Sequence, residues 1–146
     1  MNPSQHLGKS TEMLVASMLL AENREVYLPA VDDHGVDLIV RTKNAGEHLS
    51  ESSERAEFQE IQVKSLSQGG LFAAMKCDNS RPNYWFVFYI KDINRMWLIN
   101  SKTLVTIASK NTQGKHIGKY SLDLKPTSKT PIKQSQFVIT DFSKLP

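Results

Sequence analysis

"AEFQEIQVKS" occupies Ala56–Ser65. In an extended strand, successive side chains point to opposite faces. Ile61 and Val63 therefore point one way, and Glu60, Gln62 and Lys64 the other. An acid, an amide and an amine in a row on one face have two readings. The face is wet, or it lines a site that holds a metal ion and a phosphate.

The neighbouring segments extend the pattern. "FQEIQVKSL" (Phe58–Leu66) is a strand ended by "SQGG". Before it, "EVYLPA" (Glu25–Ala30), the turn-rich "VDDHG" and "VDLIVR" (Val36–Arg41) form a hairpin pattern. The polar, acidic stretch 42–57 reads as a long hairpin loop. A helix is expected over Pro3–Asn23. Asn2 stands at the N-cap, Pro3 at the first helical position and Gln5 where a capping box requires it. Gly8 costs about 1 kcal/mol relative to Ala, which allows a later start at Ser10.

After Phe58–Leu66 the pattern changes. "LFAAM" is a short strand or a helical turn. "YWFVFYI" (Tyr84–Ile90) is apolar on both parities, as a central buried strand is. "KDIN" turns the chain into "RMWLI" (Arg95–Ile99), and Ser101–Ser109 reads as a short helix capped by Asn100 or Ser101. A loop over 111–119 leads to the strand Tyr120–Leu124. A basic linker then leads to "QFVITDF", a last strand or a docked tail. The expected fold is α/β or α+β: an N-terminal helix, a mixed sheet with a β-meander, and flanking helices. The 146 residues suggest one domain, with a core over 8–125 and a basic linker and C-terminal strand or tail over 126–146.

Composition narrows the class. The hydrophobic fraction of 40% and charged fraction of 23% are those of an ordinary globular chain. No apolar run approaches the ~20 residues of a membrane helix. The start lacks the apolar core of a signal peptide, so a cytoplasmic location is expected. The single cysteine, Cys77, excludes an internal disulfide and a cysteine zinc cluster, and nothing near it in sequence resembles an activating base. Charge is uneven. Residues 1–90 carry 8 Lys/Arg against 12 Asp/Glu, whereas residues 91–146 carry 10 against 3. The basic half is either a solvated surface or a nucleic-acid contact.

Three features break the apolar patterning. Glu12 shares a helical face with Val15, Ala16 and Leu19. Asp37 interrupts a run suited to burial. Gln62 and Lys64 share a strand face. Each has an ordinary alternative: a solvated stripe edge for Glu12, the end of a turn for Asp37, the wet side of a strand for the pair. Taken together they suggest a common cause, because buried charge is costly unless paired or bound to metal. A divalent ion near Asp37 would supply the opposite charge, and Mg²⁺ needs only one or two carboxylates because it keeps several waters. Lys64 would then stand beside a water or a phosphate.

"GVD" (Gly35–Asp37) and "IQVKS" (Ile61–Ser65), behind a helix bearing Glu12, resemble the PD-(D/E)XK nuclease superfamily. That group includes restriction endonucleases, Holliday-junction resolvases and some homing endonucleases. The resemblance covers residues 8–66 well and the rest in outline. It implies a metal-dependent DNA endonuclease using Mg²⁺ or Mn²⁺, with Glu12, Asp37 and Gln62 as metal ligands and Lys64 as the catalytic amine. Two departures stand out. No Pro precedes Asp37, and the usual acid is the amide Gln62, as in branches that carry Gln–x–Lys. Glu60 is a solvated charge or a reserve ligand, and Asp32 and Asp33 are turn residues or second-metal candidates. The family's core helix between the third and fourth strands has no clear counterpart. Lys102, Lys115, His116 and Lys119 are the candidate phosphate contacts, DNA is the expected partner, and a homodimer fits the two strands of a duplex. The alternative is a nuclease-like fold that has ceased to cut and binds nucleic acid or protein.

Overall fold

The fold is that of a computed structural model, which describes residues 1–31, 34–43, 56–126 and 133–146. Helix α1 (Pro3–Ala21) leads into β1 (Val26–Tyr27), β2 (Leu38–Arg41), β3 (Phe58–Leu66), β4 (Leu71–Met75), β5 (Tyr84–Ile90) and β6 (Arg95–Asn100). Helix α2 (Ser101–Ile107), β7 (Ser109–Lys110), β8 (Tyr120–Asp123), a short 3₁₀ turn (Ser135–Phe137) and β9 (Val138–Ile139) complete it. This is the mixed α+β architecture expected, with the N-terminal helix and the mixed sheet in place.

The capping box forms as the sequence requires. The Asn2 side chain accepts from the Gln5 N–H at 3.0 Å, and Gln5 Oε1 accepts from the Asn2 N–H at 2.9 Å. That reciprocal cap secures the start at Pro3, so Gly8 is carried inside the helix and the later start at Ser10 is not used. β1 is shorter than Glu25–Ala30, because Pro29 has no N–H to continue a ladder.

The large sheet has the order β1-β2-β3-β5-β6-β9. β1, β2 and β3 form the antiparallel meander, and β3 then pairs parallel with β5, Gln62 beside Phe86 and Lys64 beside Phe88. A parallel pair needs a crossover, usually a helix. Here the crossover contains β4 in place of a helix. "LFAAM" is thus a strand. It belongs to a second sheet of order β4-β8-β7. α2 stops at Ile107, and Ser109, expected at its end, pairs with β8 together with Lys110 instead.

Period-two patterning gives the large sheet two different faces. Ile61, Val63, Leu38, Val40, Val87 and Leu98 face α1, where Val15, Ala16 and Leu19 meet them. On the other face Phe86, Phe88, Trp97 and Ile99 meet Phe72, Leu104 and Leu122 of the small sheet and α2. Phe72 and Phe88 pack edge to face at 4.8 Å. Phe86 and Phe88 are fully buried, each stabilising the fold by about 3 kcal/mol.

The last segment is both a strand and a docked tail. Ile139 pairs with Met96, while Phe142 and Leu145 are fully buried on the α1 face. Arg24, 7% exposed, fastens it. Its guanidinium donates to the Leu145 carbonyl at 3.1 Å, to a Pro146 oxygen at 2.5 Å and to the Arg41 carbonyl at 3.1 Å. Glu22 accepts from the Phe142 N–H at 3.1 Å. Burial lowers the Arg24 pKa from its ordinary value and Glu22 opposes that shift. No helix among the described residues is long and apolar enough to cross a membrane.

Candidate active site

The polar face of β3 is assembled where β2 begins. Gly35 has φ +69, a left-handed conformation that costs L residues energy. The turn therefore favours glycine, and a Cβ there would stand 2.6 Å from Gln62 Nε2 and push the amide aside. Asp37 follows. Its N–H donates to the Ile61 carbonyl at 2.8 Å, and its Oδ2 accepts from the Val63 N–H at 2.6 Å. Leu38 pairs with Ile61, which sets Asp37 beside Gln62 at the end of the β2–β3 ladder. A side-chain oxygen thus replaces a main-chain partner, and the carboxylate is fixed by the strand it abuts.

Gln62 is held from the next strand. Its Oε1 accepts from the Tyr84 hydroxyl at 2.9 Å, and the same hydroxyl lies 3.2 Å from the Gly35 carbonyl oxygen. Above the Tyr84 ring sits the Arg81 guanidinium, 4.4 Å from the centroid. Arg81 is itself anchored. Its Nε donates to Glu60 Oε2 at 2.7 Å and Nη2 donates to the same oxygen. Nη1 donates to the Asn79 carbonyl at 2.8 Å, and the main-chain N–H donates to Ser101 Oγ at 2.9 Å. Burial pushes the Tyr84 pKa up to about 12; the Arg81 charge opposes this, and Cys77, Asp37 and Glu60 add to it. Tyr84 is therefore a neutral phenol across the physiological range.

Beyond these residues a cavity of about 710 Å³ opens between β3 and the small sheet. Gly35, Gln62, Lys64 and Tyr84 line one side, and Phe72 and Lys76 the other. Lys64 is half-buried and makes no hydrogen bond or ion pair with a described residue. The Lys64 amine shares the strand face of Gln62 and lines the cavity, where it can donate to an anionic oxygen.

The expected residues are distributed as follows. Asp37, Gln62 and Lys64 come to the same end of the β2–β3 pair. Glu12 lies on α1, against the opposite face of the sheet from the cavity, 17% exposed and bridged to Lys9. It is thus neither fully solvated nor unpaired. Glu60 is part-exposed and bound to Arg81, so neither a lone solvated charge nor an open ligand describes it. Asp32 and Asp33 lie outside the described residues. Lys115 and His116 are exposed and Lys119 half-buried in the turns between β7 and β8, while Lys102 is exposed at the start of α2. Cys77 is buried, and burial raises its thiol pKa, as for an inert thiol. Tyr84 and Arg81 are the residues the patterning missed. The only sequence signal was a hydroxyl on a strand otherwise suited to burial on both faces.

The donors at the β2–β3 end are oxygen atoms, the kind a hard divalent cation takes. Among the described residues no group of three or more His, Cys, Asp or Glu side chains is placed to hold a metal ion. No family model matches the chain, and no curated protein matches it. Among solved structures, the chain is similar to a bacterial homing endonuclease, I-Ssp6803I, with 14% identity and a TM-score of 0.60. The match covers 94% of this chain and 89% of that one. Likeness at that identity establishes a shared fold.

Proposed function

We propose that this chain is a metal-dependent DNA endonuclease of the PD-(D/E)XK type. The observation that carries this reading is the placing of Asp37, Gln62 and Lys64 where the β2–β3 ladder ends, beside a cavity. The likeness of the whole fold to a homing endonuclease supports it. Asp37 and Gln62 fit a hard cation in chemistry: one carboxylate and one amide oxygen, with room in the cavity for water and phosphate oxygens. Glu12 is the third proposed ligand; it lies on the α1 side of the sheet, paired with Lys9, so it would have to leave Lys9 and reach past the strand edge to join Asp37 and Gln62. When bound, Mg²⁺ or Mn²⁺ supplies charge stabilisation at phosphoryl oxygens and a more acidic water.

The chain's own groups do the rest. Asp37, fixed by the Val63 N–H, presents its carboxylate in one orientation. The Lys64 amine orients the attacking water by hydrogen bonding, or stabilises the charge that builds on the phosphate. The uneven charge of the chain suits a polyanion, and Lys102, Lys115, His116 and Lys119 are the proposed phosphate contacts. Such contacts position the duplex without reading its sequence. A cytoplasmic location and a homodimer belong to the same proposal.

Incubating the purified protein with plasmid and Mg²⁺ or Mn²⁺ tests this reading. Nicking or linearisation is expected, with loss in Asp37→Asn. An absence of cleavage across varied substrates would sink it. Replacing Lys115 and Lys119 by Ala should flatten the salt dependence of DNA binding, by about 0.9 in logarithmic slope per lost contact.

A second reading has its own support. The ligand position is a neutral amide, and Glu60 is neutralised by Arg81. On that basis the chain is an inactive nuclease-like fold that binds nucleic acid or protein. Gln62→Glu separates the two. Activity gained from an inert parent favours the second reading, and activity already present in the parent ends it.

A further inference from the structure

We propose that Tyr84 is a positioning residue that fixes the orientation of the Gln62 amide, so that its oxygen and not its nitrogen is offered as a ligand. The inference rests on the endonuclease reading and assigns to the site a residue outside the motif. A carboxylate presents two equivalent oxygens to a cation. An amide presents an oxygen at one end and an NH₂ at the other, and the NH₂ has no lone pair to give. A glutamine in a ligand position therefore needs a device that settles which end faces where.

Three contacts supply it. The Tyr84 hydroxyl donates to Oε1 at 2.9 Å, the shorter of its two acceptor distances. Nε2 lies in the space that a Cβ at Gly35 would fill, 2.6 Å from that position, so the missing side chain makes room for it. The Arg81 guanidinium over the ring draws electron density from the phenol oxygen, which makes it a better donor and a poorer acceptor. Arg81 is held in turn by Glu60, Asn79 and Ser101, so the ring is fixed before any ligand arrives. The donated bond occupies one lone pair of Oε1 and leaves the second for a cation. Glu60, the neighbouring acid on the same strand face, thus acts through Arg81 and Tyr84 rather than as a ligand.

Tyr84→Phe isolates the hydroxyl, because it keeps the ring beneath Arg81 and beside Phe86, 5.1 Å away. Mn²⁺ binding to the DNA-free protein, measured by calorimetry, should weaken about tenfold, the effect of losing an outer-shell partner. In a Gln62→Glu background, where both oxygens are alike, the same change should shift Mn²⁺ binding by less than twofold. Equal losses in the two backgrounds, or no loss in the parent, overturn the proposal. So does a Tyr84→Phe chain that fails to fold by circular dichroism, since the hydroxyl would then be structural. A readout without metal separates this from the endonuclease reading. The Gln62 side-chain amide should give one pair of NMR signals in the parent and broadened or doubled signals in Tyr84→Phe. If the parent neither cuts DNA nor binds Mn²⁺, the endonuclease reading falls, and the amide signals still decide the orientation.

Discussion

The two faces of the large sheet treat polar groups in opposite ways. On the α1 face the polar side chains of Arg24, Glu22 and Gln59 are closed off by protein groups. Arg24 spends its donors on three main-chain oxygens, Glu22 takes the Phe142 N–H, and Gln59 lies between Thr42 and the Trp85 indole N–H. On the cavity face the closure is partial. Gln62 is bound on one side only, and Lys64 is without a partner among the described residues. The difference separates scaffold from site. Gln62 and Lys64 line the cavity, where solvent or a ligand can complete their hydrogen bonds. β3 shows the contrast along one strand: Gln59, Glu60 and Gln62 have partners, and the Lys64 amine has none among the described residues.

If that contrast is right, changes on the cavity face should damage activity and spare stability. The largest effect is expected for Asp37→Asn, a cleavage loss on the order of a thousandfold, equal to about 4 kcal/mol at the transition state. Lys64→Ala should follow at about a hundredfold. Plasmid assays beside thermal melts check both, and a melt that falls in step with the rate would erase the contrast. On the α1 face the reverse holds. Arg24→Met strands carbonyls in the core and should cost roughly 2–3 kcal/mol, read as a lower midpoint in urea, with little change in the rate of the folded fraction. Gly35→Ala sits on the border and should do both. It should lose about 1–2 kcal/mol from its left-handed φ and displace Gln62, weakening Mn²⁺ binding.

The smallest expected effect is a pH dependence. The Tyr84 pKa is raised by burial from 10.0 to about 12. The folded state therefore holds this proton more tightly than the unfolded chain. Its stabilising contribution is intact below about pH 10 and is lost as pH rises from there towards about 12. Urea midpoints measured over that range should fall more steeply in the parent than in Tyr84→Phe. Parallel curves would show that the phenol is more solvated than its surroundings imply.

Much of this was legible along the chain. The capping box announced α1, and strict alternation announced β3 from Phe58 to Leu66 at its true bounds. "YWFVFYI" on both parities announced a strand buried on two faces. Asp37, Gln62 and Lys64 were legible because each breaks a pattern that local periodicity defines. The crossover through β4 was not, since "LFAAM" is too short to favour strand over helix without a partner, and its partner β8 lies far along the chain. The environment of Glu60 was equally hidden. A single strand tells which face a carboxylate points to, and not that Arg81 waits there.

The amino-acid sequence by itself determined the elements, the sidedness of each strand and the three residues that interrupt it, because these depend on periods of two and 3.6 residues read within one segment. Tertiary structure alone decided that Tyr84 grips Gln62, that Arg81 neutralises Glu60, and that Arg24 fastens the last residues of the chain. Those contacts join positions tens of residues apart, and their geometry is set by how strands are paired in the sheet, a quantity no local pattern encodes.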